Sequence, residues 1–383
     1  MSAVQRLKGL HERFGYFTPA LLIFIACFLL LPTSKMVNNV YYVLLALPAL
    51  GVLLAHKGRD VQSSPALWLW GALCAWYVLI GVLSADGQYF KHVLYVALFV
   101  LLVSQLADPQ LLRTPLFARG LFWILGFYVL GSAIVYWISG RYEPGERVLW
   151  LPGRMTGPIY TSMWLACCFA LALPAWVAQR RWVELAAAVA LAVFCMAYVL
   201  QSRSGLVGLL ALGVLVAGWL TLRRARHLLW LGVAAVLLGG LVLFAIREVP
   251  EVSSLFARAD SGRFELWRIL AGEWLECGLW LGCGMQHVSE TTLSGGAHIQ
   301  HPHNIFLALG LYSGLVSLLV FLALMAIVLQ RAWRQRDPWG LYLLVALIVL
   351  NFDGSKLVGN PDELWLLVLL PMALIINRYG TAM

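Results

Sequence analysis

A chain of 383 residues that is 62% hydrophobic, only 12% charged and of mean hydropathy +0.83 has too few polar side chains to cover a soluble surface. Its net charge of +9 would suit a nucleic-acid partner if it were gathered on one surface, but it is spread between spans as a topology signal. Apolar runs of about 17–25 residues match helices crossing a ~30 Å hydrocarbon layer, and the alternation of a β-barrel is missing, so the sequence predicts an all-α integral membrane protein.

Taken in chain order, a short basic lead, M-S-A-V-Q-R-L-K-G-L-H-E-R-F-G, precedes the first apolar run and carries no small-residue cleavage site. About twelve transmembrane helices are expected, at 17–33, 38–56, 65–84, 90–107, 114–139, 160–179, 182–200, 204–222, 227–246, 304–330, 338–352 and 362–377. They form a single polytopic membrane domain over 1–383, with one large loop at 247–303. No internal repeat, low-complexity segment or separate soluble domain is visible.

An even number of spans puts both termini on one side. That side carries sixteen Lys/Arg, including Arg6, Lys8, Arg13, Arg180, Arg181, Arg223, Arg224, Arg226, Arg331, Arg334 and Arg336. Five acids (Glu12, Asp60, Asp108, Glu184 and Asp337) stand with them, whereas the opposite side holds eleven basic and thirteen acidic residues. The positive-inside rule then places both termini in the cytoplasm.

The opposite side is where chemistry could sit. It collects G-R-Y-E-P-G-E-R-V-L-W-L-P-G-R-M-T-G-P-I between spans five and six, the tight Q-S-R-S-G between seven and eight, the large loop, and N-F-D-G-S-K-L-V-G-N-P-D-E between eleven and twelve. In the large loop, Phe264, Trp267, Leu270, Ala271, Trp274 and Leu275 recur at three- and four-residue steps. This spacing predicts an amphipathic helix from Gly262, with Asp260 or Ser261 as N-cap and tryptophans suited to a membrane interface. A helix that merely seals the bundle would explain the tryptophans but not Arg263 in the first turn.

Among the cysteines, Cys27, Cys74, Cys167, Cys168 and Cys195 lie in apolar runs and read as small hydrophobes. Cys277 and Cys283 share the large loop and could pair there in an oxidising compartment; C-x5-C is not a zinc spacing.

Three residues carry the chemical argument. Arg203, in Q-S-R-S-G, sits at the mouth between two apolar spans, where a charge is costly unless paired or solvated. It is either an interfacial arginine reaching headgroups or an anion clamp, because guanidinium forks match phosphate oxygens. With Arg263 on the same side, two clamps suit a diphosphate better than a carboxylate. His303 precedes Asn304 at the start of the tenth span, where the helix dipole disfavours the protonated ring; a neutral imidazole can take a proton from a sugar hydroxyl. Its bland alternative is a polar cap, with Pro302 stiffening the approach. The histidines His287, His298, His301 and His303 raise a metal site, but they lack helical spacing and no acid joins them in a recognisable pattern, so no metal or other cofactor is expected.

The order S-R-S-G, G-R-F-E-L-W, G-L-W-L-G-C-G and H-P-H-N-I-F-L-A-L-G-L-Y-S-G-L, over roughly 200–330, resembles the O-antigen ligase and polymerase superfamily. The earlier G-R-M-T-G-P-I-Y-T-S-M-W-L-A is similar to the family's segment before its sixth span. The resemblance implies a GT-C-like inner-membrane glycosyltransferase with a periplasmic site and, as donor, a glycan on undecaprenyl diphosphate. It implies Arg203 and Arg263 on the donor diphosphate and His303 as general base on the acceptor hydroxyl. His301 and Asn304 would support them, with weaker phosphate contacts from Arg154, Lys35, Lys91 and Lys356. A ligase joins the glycan to lipid A–core; a polymerase joins it to another lipid-linked repeat, and a protein O-oligosaccharyltransferase to protein. The chain's length, single dominant loop and span count look more like the ligase. A lipid-linked glycan transporter would instead show midplane charges, repeated halves or broken helices.

Overall fold

The computed structural model describes residues 15–55, 63–84, 87–155, 157–223, 262–293, 296, 298 and 301–377. The ninth span expected at 227–246, the first part of the large loop, Asp260 and Ser261, and the topology charges Arg6, Lys8, Glu12, Arg13, Asp60, Arg224 and Arg226 lie outside the described residues.

Among the described residues, regular structure is helical apart from one antiparallel bridge, Thr292 to His298. The helices are α1 (Phe17–Leu30), α2 (Ser34–Ala55), α3 (Pro65–Leu83), α4 (Gly87–Gln105), α5 (Pro115–Ile138), α6 (Pro158–Ala178), α7 (Trp182–Val199) and α8 (Arg203–Arg223). They continue with α9 (Arg263–Cys277), α10 (Ile305–Gln335), α11 (Trp339–Val349) and α12 (Trp365–Ile376). Six of these, α2, α3, α5, α6, α7 and α10, are long and apolar enough to cross a membrane, and five shorter apolar helices accompany them. The chain is a multi-pass membrane protein by this pattern. The helix starts follow local chemistry. Thr33 and Ser64 cap α2 and α3 through their hydroxyls, and Pro65 and Pro158 occupy first-turn positions where a missing N–H costs nothing.

The chain sorts into two compact units. Unit 1 comprises Met1–Phe117, Pro152–Met155 and Gly262–Met383; unit 2 comprises Ala118–Leu151 and Thr156–Ser261. In unit 1 an aromatic core of Phe24, Phe28, Tyr41, Phe99 and Trp365 is buried, with Tyr41 and Trp365 rings 4.9 Å apart edge to face. Tyr41 and Trp365 each open a π-turn (Tyr41–Ala46 and Trp365–Leu369), and the extra residue re-aims the ring within its helix. At the end of the unit carrying the α10–α11 turn, Arg113 pairs with Asp337 at 2.9 Å and donates to the Leu374 carbonyl, while Trp339 donates to the Leu112 carbonyl. In unit 2, α6 is buried on nearly all sides and packs on α8, where Gly205 leaves room for Ser162: a Cβ at that position would lie 2.8 Å from the serine Cβ.

The amphipathic helix expected in the large loop is α9, with one correction. Its N-cap is Gly262, in the left-handed conformation at φ 73°. Its buried stripe is Leu266 and Leu270, with Trp274 packed against Gly310 of α10, whereas Phe264 and Leu275 are exposed. The three- and four-residue spacing admits either stripe; packing against α10 selects one.

α10 also departs from a simple span. It breaks at Gly314 (φ 78°, ψ 176°), a broken helix that the sequence pattern did not reveal.

Candidate functional site

His303 sits where two helix ends meet in unit 1. Ile305 donates its N–H to the carbonyl of Leu350 at 3.0 Å, so the orphan donor at the start of α10 satisfies an orphan acceptor at the end of α11. Gly354 permits the approach: a Cβ there would lie 2.5 Å from the Ile305 nitrogen. Asn304 caps α10, its Oδ1 accepting from Phe306 and Leu307 N–H at 2.9 and 3.1 Å. The residue before the cap, His303, is forced into the left-handed region at φ 50°, a costly conformation for a side chain with a Cβ and one that clusters at working sites.

The turn after α11 then places Asp353 under the ring. His303 Nδ1 lies 2.6 Å from Asp353 Oδ1, and His301 Nε2 lies 3.6 Å from the same oxygen. The two imidazoles lie against each other with centroids 3.9 Å apart and planes tilted by 43°. The Asp353 side chain is 5% exposed and the His303 side chain 34%, so the carboxylate is shielded while the ring is reachable. Burial would raise the Asp353 carboxyl, but its interactions with His301 and His303 more than offset this and hold it below the ordinary carboxylate range. An ionised Asp353 takes the Nδ1–H and assigns the lone pair to Nε2, which is the tautomer a general base needs.

α9 brings Arg263 to the same place. The Arg263 guanidinium lies 5.9 Å from the ring centroid of Phe352, the neighbour of Asp353. One turn on, Trp267 Nε1–H donates to the Pro302 carbonyl at 3.1 Å. Arg263, His301, His303 and Asn304 therefore gather around one loop pair. Asp353 was missed from sequence. The only available signal was that its loop falls on the same side as H-P-H-N, because 50 residues separate the partners.

Of the weaker candidates of unit 1, Arg154 and Lys356 have partners of their own. Arg154 is held by Glu363 through two contacts at 2.8 and 3.4 Å, and its N–H bonds the Phe28 carbonyl. Lys356 donates to the Met285 carbonyl and sits 4.4 Å over the Tyr312 ring. Lys35 and Lys91 are exposed near the starts of α2 and α4, Lys91 lying 5.6 Å from the Tyr95 ring.

Arg203 belongs to unit 2, where it opens α8. The preceding turn is tied on several sides. Gln201, at φ 45°, donates to the Gly145 carbonyl, Arg147 to the Leu200 carbonyl, and the Ser162 hydroxyl to Ser202 Oγ at 2.6 Å. The G-R-Y-E-P-G-E-R-V-L-W loop thus fixes the mouth that carries Arg203.

Among the described residues, two groups of side chains have metal-ligand chemistry. One is Cys277, Cys283 and His287, but the two cysteines form a disulfide, whose sulfurs are not thiolate ligands. The other is His301, His303 and Asp353, so an acid does join two of the histidines, contrary to the sequence expectation. Ligands each about 2.0–2.1 Å from a tetrahedral ion stand roughly 3.3 Å apart. The 2.6 Å contact from His303 to Asp353 fits a direct hydrogen bond better.

Comparison with known proteins points the same way. Residues 186–322 match the protein-family model described as O-Antigen ligase. The chain is also 26% identical over 350 residues to the O-antigen ligase of Pseudomonas aeruginosa, covering 88% of this chain and 84% of that protein. The match reaches well beyond the segment that carried the sequence resemblance, and by both comparisons this chain is similar to O-antigen ligases.

Proposed function

We propose that this protein transfers a glycan from undecaprenyl diphosphate to a sugar hydroxyl of lipid A–core, at the periplasmic face of the bacterial inner membrane. The observation that carries the proposal is the His303–Asp353 pair, a reachable imidazole held by a buried carboxylate at a helix start. The similarity to a named O-antigen ligase supplies the substrate class.

His303 Nε2 takes the proton of the acceptor hydroxyl as its oxygen attacks the anomeric carbon. The bond from that carbon to the diphosphate oxygen breaks, and undecaprenyl diphosphate leaves with the electron pair. Attack opposite the leaving group inverts the anomeric centre. Arg263 neutralises the departing diphosphate, a task worth about 1.5–3 kcal/mol per charge-assisted hydrogen bond. Arg203 keeps its sequence assignment as a cation for phosphate oxygens. Asp353 positions His303 and stabilises the imidazolium that forms. With cationic side chains on the diphosphate, the step needs no metal.

The Cys277–Cys283 disulfide supports a loop that faces an oxidising compartment, and with it cytoplasmic termini. A transport reading would use a broken helix to line a passage. In α10 the break is filled by the protein's own segment: Leu315 N–H bonds the Leu279 carbonyl and Cys283 N–H bonds the Leu311 carbonyl.

The test is purified protein with undecaprenyl-diphosphate glycan and a chelator, with and without lipid A–core. Glycosylated lipid A–core is the expected product. Longer lipid-linked glycan without any core would make the protein a polymerase, and an unchanged donor in both tubes would exclude transfer.

A further inference from the structure

The segment that fills the break in α10 is cross-linked to the helix that carries Arg263. At Gly282, Gly310 and Gly314 its fit leaves no space for a side chain. A Cβ on Gly314 would lie 1.9 Å from the Trp280 carbonyl oxygen, and one on Gly310 would lie 2.4 Å from the Trp274 ring. Gly282 (φ 73°) and Gly314 (φ 78°) also adopt the left-handed backbone that glycine tolerates. The segment is tied to the C-terminal end of α9 twice, by Trp274 Nε1–H on the Leu279 carbonyl at 3.1 Å and by the Cys277–Cys283 disulfide. The other end of α9 is held at Pro302 by Trp267. α9 is therefore fastened along α10 at both ends, with the His303 turn at one end and the break at the other.

We propose that the disulfide-closed segment Cys277–Cys283 is a positioning device that sets Arg263 against His303, so that its reduction weakens donor binding. The inference rests on the reading of Arg263 as a diphosphate clamp. Without the cross-link, the segment is held in the break by a few backbone hydrogen bonds and the Trp274 contact. Local opening there frees the far end of α9, and with it the aim of its first turn. A clamp that binds the diphosphate in ground and transition states alike shows its loss as a raised donor KM. Reduction by dithiothreitol adds two electrons and two protons, breaks the S–S bond to two thiols and converts the reagent to its cyclic disulfide. The other five cysteines are buried free thiols, so Cys277–Cys283 is the bond the reagent meets.

The experiment compares the full chain in detergent before and after dithiothreitol, with thiol state read by alkylation and mass. Donor KM for undecaprenyl-diphosphate glycan should rise about tenfold, kcat should stay within about threefold, and reoxidation should reverse the change. The double variant Cys277→Ser, Cys283→Ser should match the reduced protein under both conditions. A merely structural role would lower kcat through loss of folded enzyme and leave KM alone. That outcome, or an unchanged donor KM after verified reduction, overturns the proposal. Amide exchange at Cys283 and Leu315 reads the device without any turnover: faster exchange on reduction supports it, and unchanged exchange removes it. Oxidised wild type that makes no product would count against the transfer reading instead.

Discussion

Among the described residues of unit 1, two carboxylates pair with histidines, Glu273 and Asp353, and their surroundings separate them. Glu273 of α9 accepts from His287 at 2.8 Å, from Ser289 at 2.5 Å and from Thr291 at 3.3 Å. It ties the loop after the disulfide to the middle of a helix, and its three donors leave it little to offer a substrate. Asp353 instead serves two imidazoles in tilted contact, lies deeper, and sits under a residue held at φ 50° beside a helix N-cap. A similar hydrogen bond thus fastens a loop in one place and aims a reachable ring in the other. Backbone strain and the neighbouring Arg263 distinguish the two, and distance alone does not.

The largest way to break this comparison is His303→Ala. It should lower transfer by about 10²–10⁴-fold, the range of a lost general base, with the protein still folded in detergent; His287→Ala in parallel transfer assays should stay within about threefold of wild type. Arg263→Ala should come next, costing about ten- to a hundredfold in kcat/KM through donor KM, and Arg263→Lys should recover only part because an ammonium lacks the planar fork. Gly354→Ala pushes a Cβ towards the Ile305 nitrogen and should destabilise the joint by about 1–3 kcal/mol in thermal unfolding, with a smaller effect on rate in what remains folded.

The smallest effect concerns acid stability. Burial tends to raise both carboxyls, yet their hydrogen-bond partners hold Asp353 and Glu273 below their ordinary values. A carboxylate with a depressed folded pKa contributes stability that is fully present above the unfolded value, about 4, and is lost as pH falls through the folded one. Glu273→Gln should therefore unfold more easily than wild type near neutrality, by about 1–3 kcal/mol. The gap should close at the acid end of the titration. A gap that widened below pH 4 would contradict the sign.

Most of the fold was legible because burial in a membrane writes itself into long apolar runs. The ends of α3, α6 and α7 fall within two residues of the expected spans. His303, Arg263 and Asn304 were legible as scarce polar residues beside apolar helices. Asp353 was not, since its partnership depends on how the turn after α11 folds under the start of α10, and no local pattern encodes that. Leu266 was missed on α9 because Phe264 and Leu275 share the helical period with the residues that pack, and apolar character alone does not say which face meets α10. The weak lysine and arginine candidates were chosen by charge, and the fold engages Arg154 with Glu363 and Lys356 with Met285 and Tyr312. The break at Gly314 left no trace because the segment that fills it, around Leu279 and Cys283, lies well upstream in a loop with no periodicity of its own.

The most direct measurement sets Asp353→Asn beside Glu273→Gln in the same transfer assay, each with kcat, KM and a pH–rate profile. Asp353→Asn should lose about 10²-fold or more in kcat and alter the limb governed by the base, because an amide no longer fixes the tautomer of His303. Glu273→Gln should keep kcat within about threefold and its profile unchanged. Equal losses in the two variants, or an unchanged profile in Asp353→Asn, would contradict the assignment of His303 and Asp353 as the working pair.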